Sequence, residues 1–323
     1  QFTVFAALLR DGTVTIVDMI KRHTKFTLLS ELLSELLMKQ VTGDFGRGEA
    51  VWWSRGDTGR GLHFLAANGF PVASYRFLLE PLARQHRVLA LESRGAWPGN
   101  HAPQAGFKWA EHADDLIAFL ENQQAQSDFR AVVGIGHSIG ATVTAMAALK
   151  RPELFERLIL IDPATYTGRW SPLIARFRPS RTKGMDLARR TRNRRVHWQS
   201  HADFASYHRG KSAYSRFTEQ ALTDYTQAAL RPVQERFELI YDRDWEAWNF
   251  QQTAALWPVL RKLKLPTLVL RGEHSSLHPQ AEFARYCKRL PANVTAITVP
   301  GAGHMLPQEA PDAVLAAINE WLA

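Results

Sequence analysis

The chain alternates between short apolar runs and longer stretches whose apolar residues recur with helical spacing. Apolar runs rich in β-branched residues predict buried strands at 50–54, 62–67, 87–92, 129–136, 158–162, 267–272 and 296–299. Stretches with one apolar face predict helices at 109–121, 279–289 and 310–322. Because strands and helices alternate, we predict an α/β fold with a doubly wound, mainly parallel sheet covered on both faces.

The regular alternation is interrupted between Pro163 and Lys264. This interval is helical in character, basic at first and then aromatic, with no clear core strand. An insertion of this length between two sheet strands must form a separate lobe over the strand ends. We therefore predict a core formed by residues 45–162 and 265–323, with an inserted helical cap at 163–264.

The first forty residues fit poorly with this pattern. Leucine pairs at 28/29, 32/33 and 36/37 recur every four residues within the stretch 26–38 and give it one apolar helical face. This helix would dock on the core, on another copy or on a membrane surface. Alternatively, the functional chain starts at Met38. We therefore treat residues 1–40 as an N-terminal extension, either docked on the core or separate from it.

Composition excludes several classes of protein. The chain has 323 residues, of which 46% are hydrophobic and 22% charged, as is ordinary for a globular protein with a large core. A single cysteine, Cys287, excludes a disulfide framework and is compatible with a reducing compartment, so we expect a cytoplasmic protein. No run of eighteen uncharged apolar residues occurs, so no membrane span is expected.

The positive charge is concentrated in one segment. Residues 165–216 contain 13 lysines and arginines but two acids, whereas the whole chain has a formal net charge of +9. Such a segment attracts an anionic substrate, a lipid surface or a nucleic acid, or it is simply a solvated helical face, the interpretation that we favour. No nucleic-acid fold signature accompanies the arginine run at 189–195, so we expect no nucleic-acid partner.

Residues 131–148, AVVGIGHSIGATVTAMAA, combine a buried strand, a tight turn and an alanine-rich helix. A serine at the apex of such a turn needs glycine two residues before and two after it, here Gly136 and Gly140. The helix behind the turn directs free N–H groups and its positive dipole end towards the same spot. We therefore predict Ser138 as a nucleophile and the backbone N–H of Ile139 as an oxyanion donor.

Two loops offer the partners that a serine nucleophile needs. His304 follows the last predicted strand within Gly301-Ala302-Gly303-His304, where small residues leave the loop free to bring the imidazole beside the serine. Asn68-Gly69-Phe70-Pro71 follows an early strand. Its backbone N–H at Phe70 is the predicted second oxyanion donor.

Taken together, these motifs make the chain resemble the α/β-hydrolase family. The resemblance extends from Gly48 to the C-terminus through the NGFP loop, the GHSIG turn, the LILIDP strand end, the RGE turn and the GAGH loop. It implies an α/β-hydrolase fold with Ser138 as nucleophile, His304 as general base, a cap over the site and no cofactor.

The acid of the triad departs from the family pattern. Similar members place an aspartate a few residues after the strand that ends in Arg-Gly-Glu, but Ser275 and Ser276 occupy those positions here. Asp162, at the end of the preceding strand, is a position from which some hydrolases supply this acid. We favour Asp162, with Glu273 as the alternative, although Asp162 is equally suited to turning the chain before Pro163.

Metal binding is not expected. Two histidine pairs, His197 with His201 and His274 with His278, have the spacing of zinc ligands on a helix, but no matching third ligand is evident.

The predicted function is hydrolysis of an ester-type bond in a small, largely apolar substrate through an acyl-enzyme. Acyl transfer and carbon–carbon bond hydrolysis use the same residues and remain alternatives. A catalytically degenerate binding protein is the rival from another class, because serines replace the expected aspartate. The sequence leaves the substrate and the oligomeric state open.

Overall fold

The computed structural model describes residues 38–56, 58–99, 102–126, 130–165, 183–252 and 254–323. The chain divides into two compact units, residues 1–39 and residues 40–323. Residues 1–37 of the first unit lie outside the described residues, and with them all of the predicted helix at 26–38 except Met38. Apart from Lys39, the strands and helices of the described residues all belong to the second unit.

Eight strands form the main sheet, in the spatial order β1-β2-β4-β3-β5-β6-β10-β11. They are β1 (Lys39–Asp44), β2 (Glu49–Arg55), β3 (Gly61–Leu65), β4 (Arg87–Leu91), β5 (Val132–His137), β6 (Phe155–Ile161), β10 (Thr267–Gly272) and β11 (Val294–Val299). Strand β2 pairs antiparallel with β4, whereas the strands from β4 to β11 pair in parallel. The predicted doubly wound, mainly parallel sheet is confirmed.

Helices connect and flank these strands. The helices are α1 (Arg76–Leu82), α2 (Trp109–Ala125), α3 (Ile139–Lys150), α4 (Lys183–Arg192), α5 (His201–Arg209), α6 (Glu219–Ala228), α7 (Arg243–Gln251), α8 (Leu256–Lys262), α9 (Gln280–Cys287), α10 (Leu306–Glu309) and α11 (Pro311–Leu322). None of them, within the part of the chain that the structure describes, is long and apolar enough to cross a membrane.

The centre of the sheet is apolar on both faces. Strands β5 and β10 are buried along their whole length, because a central parallel strand is covered by helices on both sides. Small side chains in α3 let that helix approach the sheet closely, and nine of its twelve residues are buried. This packing fixes the junction between β5 and α3, where Ser138 lies.

The interval between β6 and β10 contains a second sheet that the sequence did not predict. Its three antiparallel strands are β7 (His197–Trp198), β8 (Leu230–Val233) and β9 (Arg236–Leu239), in the order β7-β9-β8. The interval was expected to be helical in character, and these strands were not foreseen because runs of two to four residues are too short to show alternation. The interval has its own apolar cluster, which includes Trp198, Phe204 and Tyr225.

Candidate active site

Ser138 lies between β5 and α3 in a strained backbone conformation. Its φ of +57° and ψ of −118° are values that residues other than glycine seldom adopt. The strain is held by the backbone, since Ser138 N–H donates to the Ile161 carbonyl at 2.9 Å and its own carbonyl accepts from Ala164 N–H at 3.0 Å. A Cβ on Gly140 would lie 2.3 Å from the Leu65 carbonyl oxygen. Glycine is therefore required there for close packing.

Ser138, His304 and Asp162 form a connected series. The Oγ of Ser138 is 3.0 Å from Nε2 of His304. The Nδ1 of His304 is 2.6 Å from Oδ2 of Asp162. Because a carboxylate can only accept, Nδ1 carries the imidazole proton and Nε2 is free to accept from the serine hydroxyl. In this geometry the serine can act as a nucleophile, the histidine as a base and the carboxylate as an orienting acid.

Asp162, the favoured acid, is fully buried at the end of β6 with a φ of +39°. Its Oδ1 accepts from Gly272 N–H at 3.1 Å, and its Oδ2 also accepts from the Ser275 hydroxyl at 2.6 Å. The alternative acid, Glu273, is half exposed and accepts from Gly301 N–H at 2.8 Å. The structure thus brings Asp162 to His304 and uses Glu273 to hold the neighbouring loop.

The surroundings of Asp162 favour its charged form. Burial opposes ionisation most strongly, but the hydrogen bond and charge of His304, the charge of His278 and the Ser275 hydroxyl outweigh it, so the pKa of Asp162 lies below its ordinary value. Ser275 therefore supports the carboxylate instead of replacing it. Sequence reasoning missed this role because it depends on contact between two distant loops.

The backbone N–H groups of the two expected oxyanion donors differ in whether they already have a hydrogen-bond acceptor. Ile139 is the first residue of α3, where the helix provides no acceptor for its N–H. The N–H of Phe70 donates to the Ala67 carbonyl at 3.1 Å and closes a turn in which Gly69 has a φ of +78°. Phe70 can therefore serve an oxyanion only by sharing its proton between two acceptors, which the sequence motif did not indicate.

A family model, described as the alpha/beta hydrolase family, matches residues 61–317. This chain belongs to the α/β-hydrolase family. The 2-(acetamidomethylene)succinate hydrolase of Mesorhizobium japonicum is 24% identical over 263 residues, 81% of this chain and 86% of that protein. The sn-1-specific diacylglycerol lipase of Mus musculus is 24% identical over 244 residues, 73% of this chain and 72% of that protein.

The fold of this α/β hydrolase is also similar to solved structures. A crystal structure of E-2-(acetamidomethylene)succinate hydrolase matches with a TM-score of 0.74 at 22% identity, over 88% of this chain and 99% of that chain. These two relatives are named as a hydrolase and a lipase that act on different substrates. The comparisons therefore support hydrolase activity without assigning the bond that is cleaved.

A polar network links the inserted interval of this α/β hydrolase to the turn that contains Phe70. The side-chain amide of Asn68 donates to the Glu246 carbonyl at 2.9 Å, and Asn249 donates to Asn68 Oδ1 at 3.1 Å. Tyr241 adds a longer bond to the same Asn68 oxygen at 3.3 Å. Helix α7 thus holds the Asn68 turn. The sequence offered no signal for this pairing, because its members are separated by more than 170 positions.

Several arginines of the basic segment pair with acids of the same interval. Ion pairs join Arg189 to Asp186, Arg194 to Glu246, Arg195 to Asp203 and Arg209 to Glu219. The described part of this segment is therefore partly neutralised by neighbouring acids.

The histidine pairs do not form a metal site within the described ranges, where no group of three or more potential ligands was found. His278 is buried and its Nε2 donates to the Pro163 carbonyl at 2.7 Å. His201 packs its ring against Phe237, with the ring centres 4.5 Å apart.

Proposed function

We propose that this α/β hydrolase cleaves an ester-type bond in a small, largely apolar substrate through an acyl-enzyme on Ser138. The observation that carries the proposal is the unbroken series from Asp162 through His304 to Ser138, with contacts of 2.6 and 3.0 Å. The nucleophile also lies at the N-terminus of α3, where an unpaired N–H and the helix dipole favour developing negative charge.

The geometry supports a two-stage reaction. His304 Nε2 takes the proton of Ser138 as its oxygen attacks the substrate carbonyl, and the Asp162 carboxylate stabilises the imidazolium that forms. The N–H of Ile139 binds the oxyanion. His304 then returns the proton to the leaving alcohol, and an acyl group remains on Ser138. In the second stage His304 deprotonates a water molecule, whose oxygen attacks the acyl group. The bond between the acyl group and Ser138 Oγ then breaks, His304 returns the proton to Ser138, and the acid is released.

Aromatic rings beside the Phe70 turn support an apolar substrate. Phe70, Tyr214 and Phe217 are each partly exposed. The ring centre of Phe217 lies 6.3 Å from that of Phe70 and 5.1 Å from that of Tyr214. Such rings offer apolar contact area near the proposed oxyanion site.

The interval at 163–264 is proposed to act as a cap over this site. Its support is that α7 holds the Asn68 turn, and that Tyr225 of α6 packs against Phe70 with ring centres 4.7 Å apart. Residues 166–182 of the interval lie outside the described residues.

The rival interpretation, a catalytically degenerate binding protein, is less well supported by this geometry. That interpretation depended on serines at the positions where an aspartate was expected. Since Asp162 contacts His304 directly and Ser275 donates to Asp162, the series from Asp162 through His304 to Ser138 does not need an aspartate in that loop. We therefore favour catalysis.

Labelling with a fluorophosphonate probe tests the proposal without knowledge of the substrate. We expect stoichiometric labelling of the intact protein, located at Ser138 by mass spectrometry, and none in Ser138→Ala. Asp162→Asn is expected to lower the turnover of p-nitrophenyl esters by about 10⁴-fold, because the imidazole loses tautomer control and charge stabilisation.

Glu273→Gln is the matched control for this substitution, since it removes the other candidate carboxylate. Its turnover is expected to stay within about threefold of the wild type, because Glu273 does not contact His304 or Ser138 in the proposed triad. A folded protein that fails to label at Ser138, or a Glu273→Gln variant that is crippled while Asp162→Asn is active, would contradict the proposal. Comparison of water with added alcohols as acceptor separates hydrolysis from acyl transfer.

A further inference from the structure

A buried histidine beside the nucleophile connects two loops of the proposed active site. His137 is fully buried, and its Nε2 lies 2.9 Å from the backbone oxygen of His304. Its Nδ1 lies 2.7 Å from the hydroxyl of Tyr75, which is also fully buried. The Tyr75 oxygen accepts in turn from the backbone N–H of Ala67 at 3.2 Å. These contacts form a hydrogen-bond relay of His304, His137, Tyr75 and Ala67.

The direction of each hydrogen bond in the relay follows from its end groups and from the charge of His137. The His304 carbonyl can only accept, so Nε2 of His137 carries a proton. Burial lowers the pKa of His137 to about 3, so the ring is neutral and its Nδ1 has no proton. Nδ1 therefore accepts from the Tyr75 hydroxyl, whose oxygen accepts from the Ala67 N–H. His137 is the neutral Nε2–H tautomer.

Through His137, the relay connects the backbone of the proposed base to the residue next to the proposed nucleophile. His137 is covalently adjacent to Ser138, and it holds the backbone of the residue whose ring must reach the serine oxygen. At the other end, the carbonyl of Ala67 accepts from Phe70 N–H at 3.1 Å. The relay therefore starts at the turn of one proposed oxyanion donor and ends at the loop of the proposed base.

We propose that His137 is a positioning residue, oriented by Tyr75, that sets the separation between Ser138 and His304. The inference rests on the proposed function, because a separation matters only if the serine is to be deprotonated. Rates of reactions between held groups fall by about 10²-fold for misplacements near 1 Å. A hydrogen bond to the backbone of the base restricts such a displacement directly.

Two variants of His137 differ in which polar atom they keep. In His137→Gln the terminal amide nitrogen takes the place of Nε2 and can still donate to the His304 carbonyl. In His137→Asn the terminal atoms take the place of Nδ1, so the contact with Tyr75 is kept and the contact with His304 is lost. Each variant removes the ring and leaves one buried polar group unpaired. Their desolvation costs are therefore similar, and Asn loses one more buried methylene of packing than Gln, about 1 kcal/mol.

The readout is the rate constant of fluorophosphonate labelling at Ser138, measured beside the melting temperature. We expect His137→Asn to label 10- to 100-fold more slowly than the wild type, roughly the effect of a base displaced by less than 1 Å. His137→Gln is expected to label within about fivefold of the wild type, with a melting temperature close to that of His137→Asn. Equal labelling rates in the two variants, or slow labelling by His137→Gln alone, would overturn the positioning role.

Nitrogen-15 NMR of the histidine rings tests the relay without catalysis. We expect His137 to remain a neutral Nε2–H tautomer from pH 5 to 9, the range over which an ordinary histidine would titrate. A proton on Nδ1, or titration within that range, would overturn the relay. Failure of the wild-type protein to label at Ser138 would overturn the proposed function and the positioning role with it, while the NMR spectrum would still report the hydrogen bonds themselves.

Discussion

Asp162, the proposed acid, is held by a residue from another loop. Ser275 stands where the sequence comparison led us to expect an aspartate, and its hydroxyl donates to Asp162 Oδ2 at 2.6 Å. The carboxylate therefore approaches His304 from the end of β6, and the loop supplies a neutral donor. Burial opposes the charged form of Asp162, but the hydrogen bond and charge of His304 outweigh it and lower the pKa, and the Ser275 hydroxyl adds to this lowering as a further donor.

Substitutions at Ser275 test this division of roles. Ser275→Asp would place a second carboxylate against Asp162 in a buried site, where like charges cannot both ionise easily. We expect its kcat/KM for p-nitrophenyl acetate to fall by at least about tenfold at pH 7, whereas Ser275→Ala should lose less than about tenfold. Higher activity in Ser275→Asp would assign the acid to the loop.

Glu92 is a second buried carboxyl group, and it lies outside the proposed triad of Ser138, His304 and Asp162. Its Oε1 accepts from Trp53 Nε1 and Val72 N–H, both at 2.9 Å, while its Oε2 has no partner among the described residues. Burial raises the pKa of Glu92 from an ordinary value of 4.5 to about 7. The folded state therefore holds this proton more tightly than the unfolded state does, and its stability falls as the pH rises between these two values.

Glu92→Gln should remove that pH dependence, because the amide stays neutral and its oxygen can keep both hydrogen bonds. Between pH 5 and pH 8, the free energy of unfolding of Glu92→Gln is expected to rise relative to that of the wild type by up to about 3 kcal/mol. Urea unfolding followed by tryptophan fluorescence at both pH values measures the difference. If the free energies of unfolding of the variant and the wild type differ by the same amount at both pH values, Glu92 is not the titrating group.

At the scale of elements, the junction between β5 and α3 depends on contact between backbones. Gly140→Ala would place a Cβ 2.3 Å from the Leu65 oxygen and 2.6 Å from the Ala66 oxygen, so α3 must move away from β3. We expect a loss of several kcal/mol in the free energy of unfolding, about 3 or more, with slower labelling of Ser138. Denaturant titration measures the loss.

Gly210→Ala is the control for this prediction. The nearest atom to its added Cβ would be 3.7 Å away, and its φ of −75° suits any residue. Its free energy of unfolding should change by less than about 0.5 kcal/mol. Equal behaviour of the two variants would show that α3 tolerates displacement from the sheet.

Elements could be predicted where the apolar pattern extends over enough residues to be recognised. Long apolar runs located the core strands to within a few residues, because a central parallel strand is buried on both faces. Strand β1, KQVTGD, was missed because it is mostly polar and exposed. The short strands of the second sheet have too few residues for a period to be recognised.

The candidate site was predictable where its residues belong to local motifs. Ser138, Ile139 and His304 lie in glycine-bearing turns next to predicted strands, and the structure places the serine and the histidine in contact. The choice between Asp162 and Glu273 depended on strand order, since Asp162 is 142 positions from His304. The hydrogen bond that occupies Phe70 N–H depends on turn geometry, which the motif does not specify.

At the scale of the whole molecule, the inserted interval and the core meet at the Asn68 turn. The Glu246 carboxylate lies so close to Gly69 that a Cβ there would be 2.7 Å from it, and Arg194 pairs with that carboxylate. A buried charge that keeps its partner is tolerated, whereas a single unpaired member would be costly. Lobe and turn are therefore coupled through polar contacts, and displacement of one affects the other.

Asn249 is the residue through which this coupling is most directly tested. Its side chain contacts Asn68 at 3.1 Å, Tyr241 at 3.4 Å and His112 at 3.0 Å. Asn249→Ala removes all three of these contacts from the network, so we expect a loss of about 2–3 kcal/mol in the free energy of unfolding and roughly tenfold slower labelling of Ser138. The exposed Asn319→Ala is the control and should change the free energy by less than about 0.5 kcal/mol. Labelling at the wild-type rate in a destabilised Asn249→Ala would mean that the network stabilises the lobe without setting the geometry of the turn.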